Sequence, residues 1–203
     1  MLDHLFLDAI AAVRAALEGA LLERHAAEEH LQADVLLGDL TWETSYSLPG
    51  EGLLPRVRVD VTLDWSTWSQ TAYRSWVIGE PADEPPELMI ELAVRLGRLR
   101  SQPDLSTVLA VLPETGPLIG SEALERSAPA VEVLHDSNLE VIEAAIEVSY
   151  EGIYTAGEDV LTEPKLLTEH FAPLGGWLAS ALVRLTDLPL DFLPPEEEDS
   201  ELR

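Results

Sequence analysis

From Arg56 to Trp65 apolar and polar residues alternate without a break: Val57, Val59, Val61, Leu63 and Trp65 against Arg56, Arg58, Asp60, Thr62 and Asp64. A period of two puts the two sets on opposite faces of a β-strand, one packed and one wet. Such a strand needs neighbours, and an antiparallel sheet with one solvated face accommodates it best. Leu40, Trp42, Thr44 and Tyr46 alternate in the same way with Thr41, Glu43 and Ser45, and Pro49-Gly50-Glu51-Gly52 marks the turn between the two runs. After a short connection at Ser66-Thr67, residues 70–78, with Tyr73, Trp76 and Val77, are expected to return as a third strand. The meander then spans about 37–79.

Helical spacing frames this sheet. Leu2, Phe6, Ile10, Val13, Leu17 and Leu21 form one stripe, which predicts a helix over 2–33. Prolines before Glu87 suit a first helical turn, and Leu88, Leu92, Leu96 and Leu99 then predict a helix over 86–100. Leu105 to Leu112 reads as a buried strand closed by Pro113. Residues 114–137 admit a short helix capped by Ser121 and running through Arg126, then a strand beginning at Val131 and Val133. Leu139 to Tyr154 fits either class, and the alternation Glu147-Val148-Ser149-Tyr150 favours a strand. Leu167, Phe171, Leu174, Leu178 and Leu185 predict a last helix over 163–186, kinked or divided at Pro173. The expected class is α+β, an antiparallel sheet flanked by helices in the order α-β-β-β-α-β-β-α. Residues 1–186 would form one domain, and 187–203, rich in Glu and Pro, read as an acidic, disordered tail.

Charge bounds the partners. The 203 residues carry 12 Lys+Arg against 38 Asp+Glu, a net charge of −26, far outside the magnitude of about 2–8 usual for a small domain. Direct binding to nucleic acid or to anionic lipid is strongly disfavoured. Lys165 is the only lysine, so a composition bias towards Arg, or an acidic surface suited to a salty cell, competes with function as the cause. The chain has no Cys, which excludes disulfides, thiolate catalysis and thiolate metal sites. The N-terminus lacks a basic leader, and no apolar run is long enough to span a membrane. The expected compartment is the cytoplasm.

The order of elements resembles that of bacterial YbjN proteins and of the type III secretion chaperones that share their architecture. It covers about 2–186 and is carried by the succession and length of elements, without a short motif. The resemblance implies a small, acidic, homodimeric and non-enzymatic protein that holds protein partners on apolar surface. The long 113–138 connection and the acidic tail depart from a minimal member.

No constellation of side chains points to catalysis, a cofactor or a metal. His25, Glu28, Glu29 and His30 cluster, but their spacing differs from that of His-Glu-x-x-His zinc sites, and a solvated helix end explains them better. Glu43, Asp60 and Asp64 fit ion pairing with Arg56 and Arg58 on the wet face of the sheet better than acid–base work. No Gly-x-Ser-x-Gly elbow or phosphate loop is present. Trp42, Trp65 and Trp76 are expected in the core. Trp68, among Ser66, Thr67, Ser69 and Gln70, serves packing and a contact surface equally well, and indole rings are common binding anchors. Glu196, Glu197, Glu198 and Asp199 are a candidate electrostatic contact, weighed against an inert tail. The expected function is a chaperone-like or adaptor protein for a basic partner among DNA-binding, repair or single-stranded-DNA-binding proteins. The alternatives are a DNA mimic and, behind it, an enzyme with an unrecognised site.

Overall fold

The computed structural model describes residues 4–21, 27–36, 38–47, 55–81, 84–136 and 141–194. Its centre is the alternating run. β3 (Val57–Trp65) has every odd residue buried and every even residue partly exposed. It lies between β2 (Asp39–Ser47) and β4 (Glu87–Leu99), both antiparallel to it, and β1 (Ala27–Leu36) pairs with the outer edge of β2. On the far side of β4 runs β8 (Val141–Thr155), the longest strand. β5 (Thr115–Ile119), β6 (Glu122–Arg126) and β7 (Ala130–Asp136) complete one antiparallel sheet of eight strands. Seven follow the order β1-β2-β3-β4-β8-β6-β5, and β7 continues along the same edge of β8 as β6. The break between β6 and β7 falls at Ser127 to Pro129, where proline has no N–H to offer the ladder.

Two long helices, α1 (His4–Leu21) and α5 (Leu166–Thr186), pack on each other and cover one face of this sheet. Phe6 of α1 stacks on Trp65, Trp177 of α5 meets Tyr150 edge-on, and Phe171 lies against Tyr154. The core therefore sits between the odd face of β3 and the helix pair. Three short helices trim the ends: α2 (Thr67–Val77), α3 (Leu105–Leu109) and α4 (Glu158–Thr162).

The α+β class, with an antiparallel sheet flanked by helices, stands, and the coarse order of helix, three strands, helix, strands and helix is kept. Several segments within that order change identity. The first helix is described over His4–Leu21, and 27–36, expected as its continuation, is strand. That stretch is rich in helix formers, so pairing along β2 has overridden local propensity. Residues 67–77 are a helix in place of a third strand. Ser66 caps it by accepting from the Ser69 N–H at 3.1 Å, and Ser69, Ala72, Tyr73 and Trp76 turn inward at helical spacing.

The expected helix over 86–100 is β4. Four-residue steps fit period two as well as a helical turn, and Ile90 and Val94 fill the even positions between the leucines, all buried. Residues 105–109 form α3 in place of a strand, capped by Asp104, which accepts from the Ser106 N–H at 3.0 Å. Glu122–Arg126, expected as a short helix capped by Ser121, is β6, joined to β5 by a turn at Gly120-Ser121, with Gly120 at φ +62°. α5 is one continuous helix. Pro173 and Glu169 both lie on its solvent side, so water can satisfy the Glu169 carbonyl left without its N–H partner.

The described structure continues past the expected boundary at 186. Phe192 bridges to Leu99, Arg100 N–H donates to the Asp191 carbonyl, and Leu193 N–H donates to the Arg98 carbonyl. The segment through Pro194 thus straps onto the end of β4, where a bulge places Arg98 at φ +58°. The Arg98 guanidinium holds the Pro194 carbonyl at 2.9 Å, and that of Arg56 stacks over the Phe192 ring at 5.0 Å.

Candidate partner-binding face

Since both long helices lie on one face of the sheet, the polar residues of β2, β3, β4, β8 and β6 are left on the other. Register brings them into lateral rows. Glu43 faces Thr62, Thr62 faces Glu91, Glu91 faces Glu151, and Glu151 faces Glu125, so one row crosses five strands and holds four glutamates. Adjacent strands are about 4.8 Å apart, and like charges directly opposite one another are destabilising. Glu91, in the middle, is raised above the ordinary 4.5, first by burial and then by the charges of Glu151, Asp64, Glu147 and Glu43. A row of this kind costs the free protein stability.

The neighbouring row is mixed. Thr41, Asp64, Met89 and Ile153 follow one another across β2, β3, β4 and β8. Met89 and Ile153 face each other, and both are about half exposed, at 51% and 49%. They line a cavity of about 410 Å3, walled by Asp39, Asp64 and Glu87 and closed by Ser66 and Ser69 at the start of α2. The same two side chains also line a second cavity of about 400 Å3 that extends over Glu151 to Glu125 and Arg126. The two cavities share Met89 and Ile153 and make one groove across the strands, apolar at its centre, flanked by Asp39, Asp64, Glu87, Glu151 and Glu125, and ending at Arg126.

The groove end at α2 is firmly built. Asp39 Oδ1 accepts from the Thr67 N–H at 2.5 Å and from the Thr67 hydroxyl at 2.6 Å, which holds the Asp39 carboxyl below its ordinary value. Ser69 donates to the Glu87 carbonyl at 2.6 Å. The buried Gln70 amide donates to the Gly38 carbonyl at 2.7 Å. Thr41 donates to Asp64 at 2.5 Å, and Ser45 donates to Asp60.

Of the residues singled out from the sequence, Trp68 lies on the outer side of α2 with 45% of its surface exposed. It is outside the residues that line the groove. Glu196, Glu197, Glu198 and Asp199 lie outside the described residues. Trp42 and Trp65 are buried, and Trp76 packs against the core, stacked on Tyr73. His25 lies outside the described residues, and Glu28, Glu29 and His30 belong to β1 and not to a helix end. Glu43, Asp60 and Asp64 do share the wet face. The Arg58–Asp60 pair, at 3.0 Å, runs along one strand, while Arg95 makes the cross-strand pairs, to Glu132 at 2.8 Å and Glu147 at 3.6 Å. Arg56 turns to Phe192.

No family model matches the chain, and neither a curated protein nor a solved structure matches it. Among the described residues no group of three or more His, Asp or Glu converges as metal ligands would. No described helix is long and apolar enough to cross a membrane. Two buried tyrosines hold structural bonds: Tyr150 donates to the Pro113 carbonyl at 2.8 Å, and the Tyr154 hydroxyl meets His170 Nδ1 at 2.7 Å. Burial pushes both phenols up to about 12, so they stay neutral. Sequence reasoning had missed Met89, Ile153, Glu91 and Glu151. Reading 86–100 as a helix hid the first and third, although the alternation Leu88-Ile90-Leu92-Val94 was there to place them outward.

Proposed function

We propose that the chain is a non-catalytic, chaperone-like or adaptor protein of YbjN-like architecture, cytoplasmic and homodimeric, which binds a basic protein. The observation that carries the reading is the sheet face opposite the two long helices, which no described helix covers and where carboxylates accumulate at a cost to the protein's own stability. A surface that is costly in the free state is accounted for if a cationic partner relieves it. The net charge of −26 extends the same preference to long range, repelling nucleic acid and acidic proteins and steering basic ones. DNA-binding, repair and single-stranded-DNA-binding proteins are the basic class to test first.

The test is a nuclease-treated pull-down from native lysate, eluted in a salt step from about 50 to about 500 mM, the range over which exposed charge is screened. A stoichiometric basic protein released by salt is the expected result. A complex indifferent to salt, or an empty eluate, counts against the reading. Light scattering on the purified chain checks the dimer.

The glutamate row favours a second reading, a DNA mimic whose carboxylates replace phosphates. Duplex DNA would displace a mimic from its target, whereas an adaptor remains on a protein–DNA complex.

A further inference from the structure

The wet face of this sheet departs in one respect from an ordinary solvated surface. Met89 and Ile153 stand side by side, half exposed, in the middle of it, with Asp64 next to them in the same row and Glu91 and Glu151 in the row beyond. Single exposed apolar side chains are common on solvated surfaces, but here two stand directly opposite each other inside a groove flanked by carboxylates. A face that only had to attract mobile cations would gain nothing from a thioether and a branched alkyl group. The combination fits a ligand that is cationic and apolar at once. The groove across β2, β3, β4, β8 and β6 takes four inter-strand steps of about 4.8 Å, or about 19 Å, the reach of about six residues of extended chain. Small side chains at Ala93 and Ser149, opposite each other on the row beyond Glu91 and Glu151, keep that flank of the groove low.

We infer that this groove takes a basic, amphipathic segment of a partner protein, with an apolar side chain resting on Met89 and Ile153 and lysine or arginine heads reaching Asp64, Glu91 and Glu151. The inference rests on the adaptor reading and deepens it by naming the surface and the chemistry of its occupant. Charge complementarity selects that occupant. A second copy of this chain would bring its own excess of acid, and an acidic or neutral segment would leave the carboxylate row unrelieved. Long basic side chains suit the site further, because their methylene stems can lie along the apolar pair while the heads stay at the carboxylates. Relief of the row has its own signature. A cation beside Glu91 lowers a carboxyl that burial and its neighbours had raised, so binding releases protons and tightens as pH rises through that carboxyl's range.

The experiment uses the full chain and two labelled eight-residue peptides, one alternating Lys with Leu and one alternating Lys with Ser, read by fluorescence anisotropy. The Lys–Leu peptide should bind at least tenfold more tightly than the Lys–Ser peptide. Met89→Ser with Ile153→Ser should abolish that difference, while Glu91→Gln with Glu151→Gln should weaken both peptides and flatten the salt dependence. All four substitutions lie on the solvated face, and a thermal melt of each variant verifies folding. Equal binding of the two peptides, or binding that both variants retain, overturns the inference, as does failure of the Lys–Leu peptide to bind. A partner captured from lysate and retained equally by both variants would sink this site alone and leave the adaptor reading intact. Absence of any salt-released basic partner would sink the adaptor reading itself.

Discussion

Gly175 sits where α5 crosses α1, and a Cβ built there would overlap the carbonyl of Ala16. Backbone cannot yield as the end of a flexible side chain can, so Gly175→Ala should cost about 1–3 kcal/mol or more in a denaturant titration. Gly176, next in the chain, has open space at the same position and provides the control: Gly176→Ala should not destabilise. Glu91 makes the opposite case, a residue whose removal should help. Its carboxyl is raised in the folded state, so the folded protein binds that proton more tightly than the unfolded chain. Its contribution to stability is therefore complete below the ordinary 4.5 and is lost as pH climbs through the raised value. Glu91→Gln should be more stable than the parent at neutral pH by about 0.2–1 kcal/mol, the scale of a cross-strand pair. The advantage should vanish below the ordinary carboxyl value, as melts across that pH range would show.

Among the elements, α2 is the most instructive, because residues 70–78 read as a strand and fold as part of a helix. Its apolar residues are few, and period two and helical spacing are hard to separate over so short a run. The decisive groups are polar: Ser66 as a local cap, and Asp39, from the start of the neighbouring strand β2, holding the first turn. Ser66→Ala should cost about 1 kcal/mol, measured by denaturation, and should loosen the groove end that Ser66 and Ser69 close. β4 failed in the other direction. Leucines at steps of four satisfy both periods, and only the intervening Ile90 and Val94 settle the matter. β1 could not have been found locally, since Ala, Glu and Gln favour a helix and only the open edge of β2 makes that segment a strand. The candidate groove inherits these errors. Two of its central residues stand on β4, which reads as a helix, whereas the other two stand on β8, where the alternation Glu147-Val148-Ser149-Tyr150 already favours the strand that forms.

For the whole molecule, charge is the governing term. With a net charge of −26, the compact state pays a self-repulsion that the expanded chain relieves, and mobile ions screen it over about 10 Å at 0.1 M salt. The thermal midpoint should therefore rise as sodium chloride is raised from about 20 to about 500 mM. A protein held mainly by surface ion pairs would move the other way, which makes the melt a clean discriminator. The same screening should weaken any basic partner, so stability and affinity are expected to respond to salt with opposite signs.

Composition and local pattern suffice for the properties that are sums or strict periodicities. These are the net negative charge, the absence of thiol chemistry, the central strand Val57–Trp65, the α1 stripe and the α+β class. Each follows from counting residues or from periodicity within one segment. Tertiary structure alone decided which face the helices cover, which edges are paired, and therefore which carboxylates meet. Glu43, Glu91, Glu151 and Glu125 lie far apart along the chain, and no local period relates them. They form a row because backbone hydrogen bonding fixes the register of five strands, and register is a property of pairs of segments that neither segment carries alone.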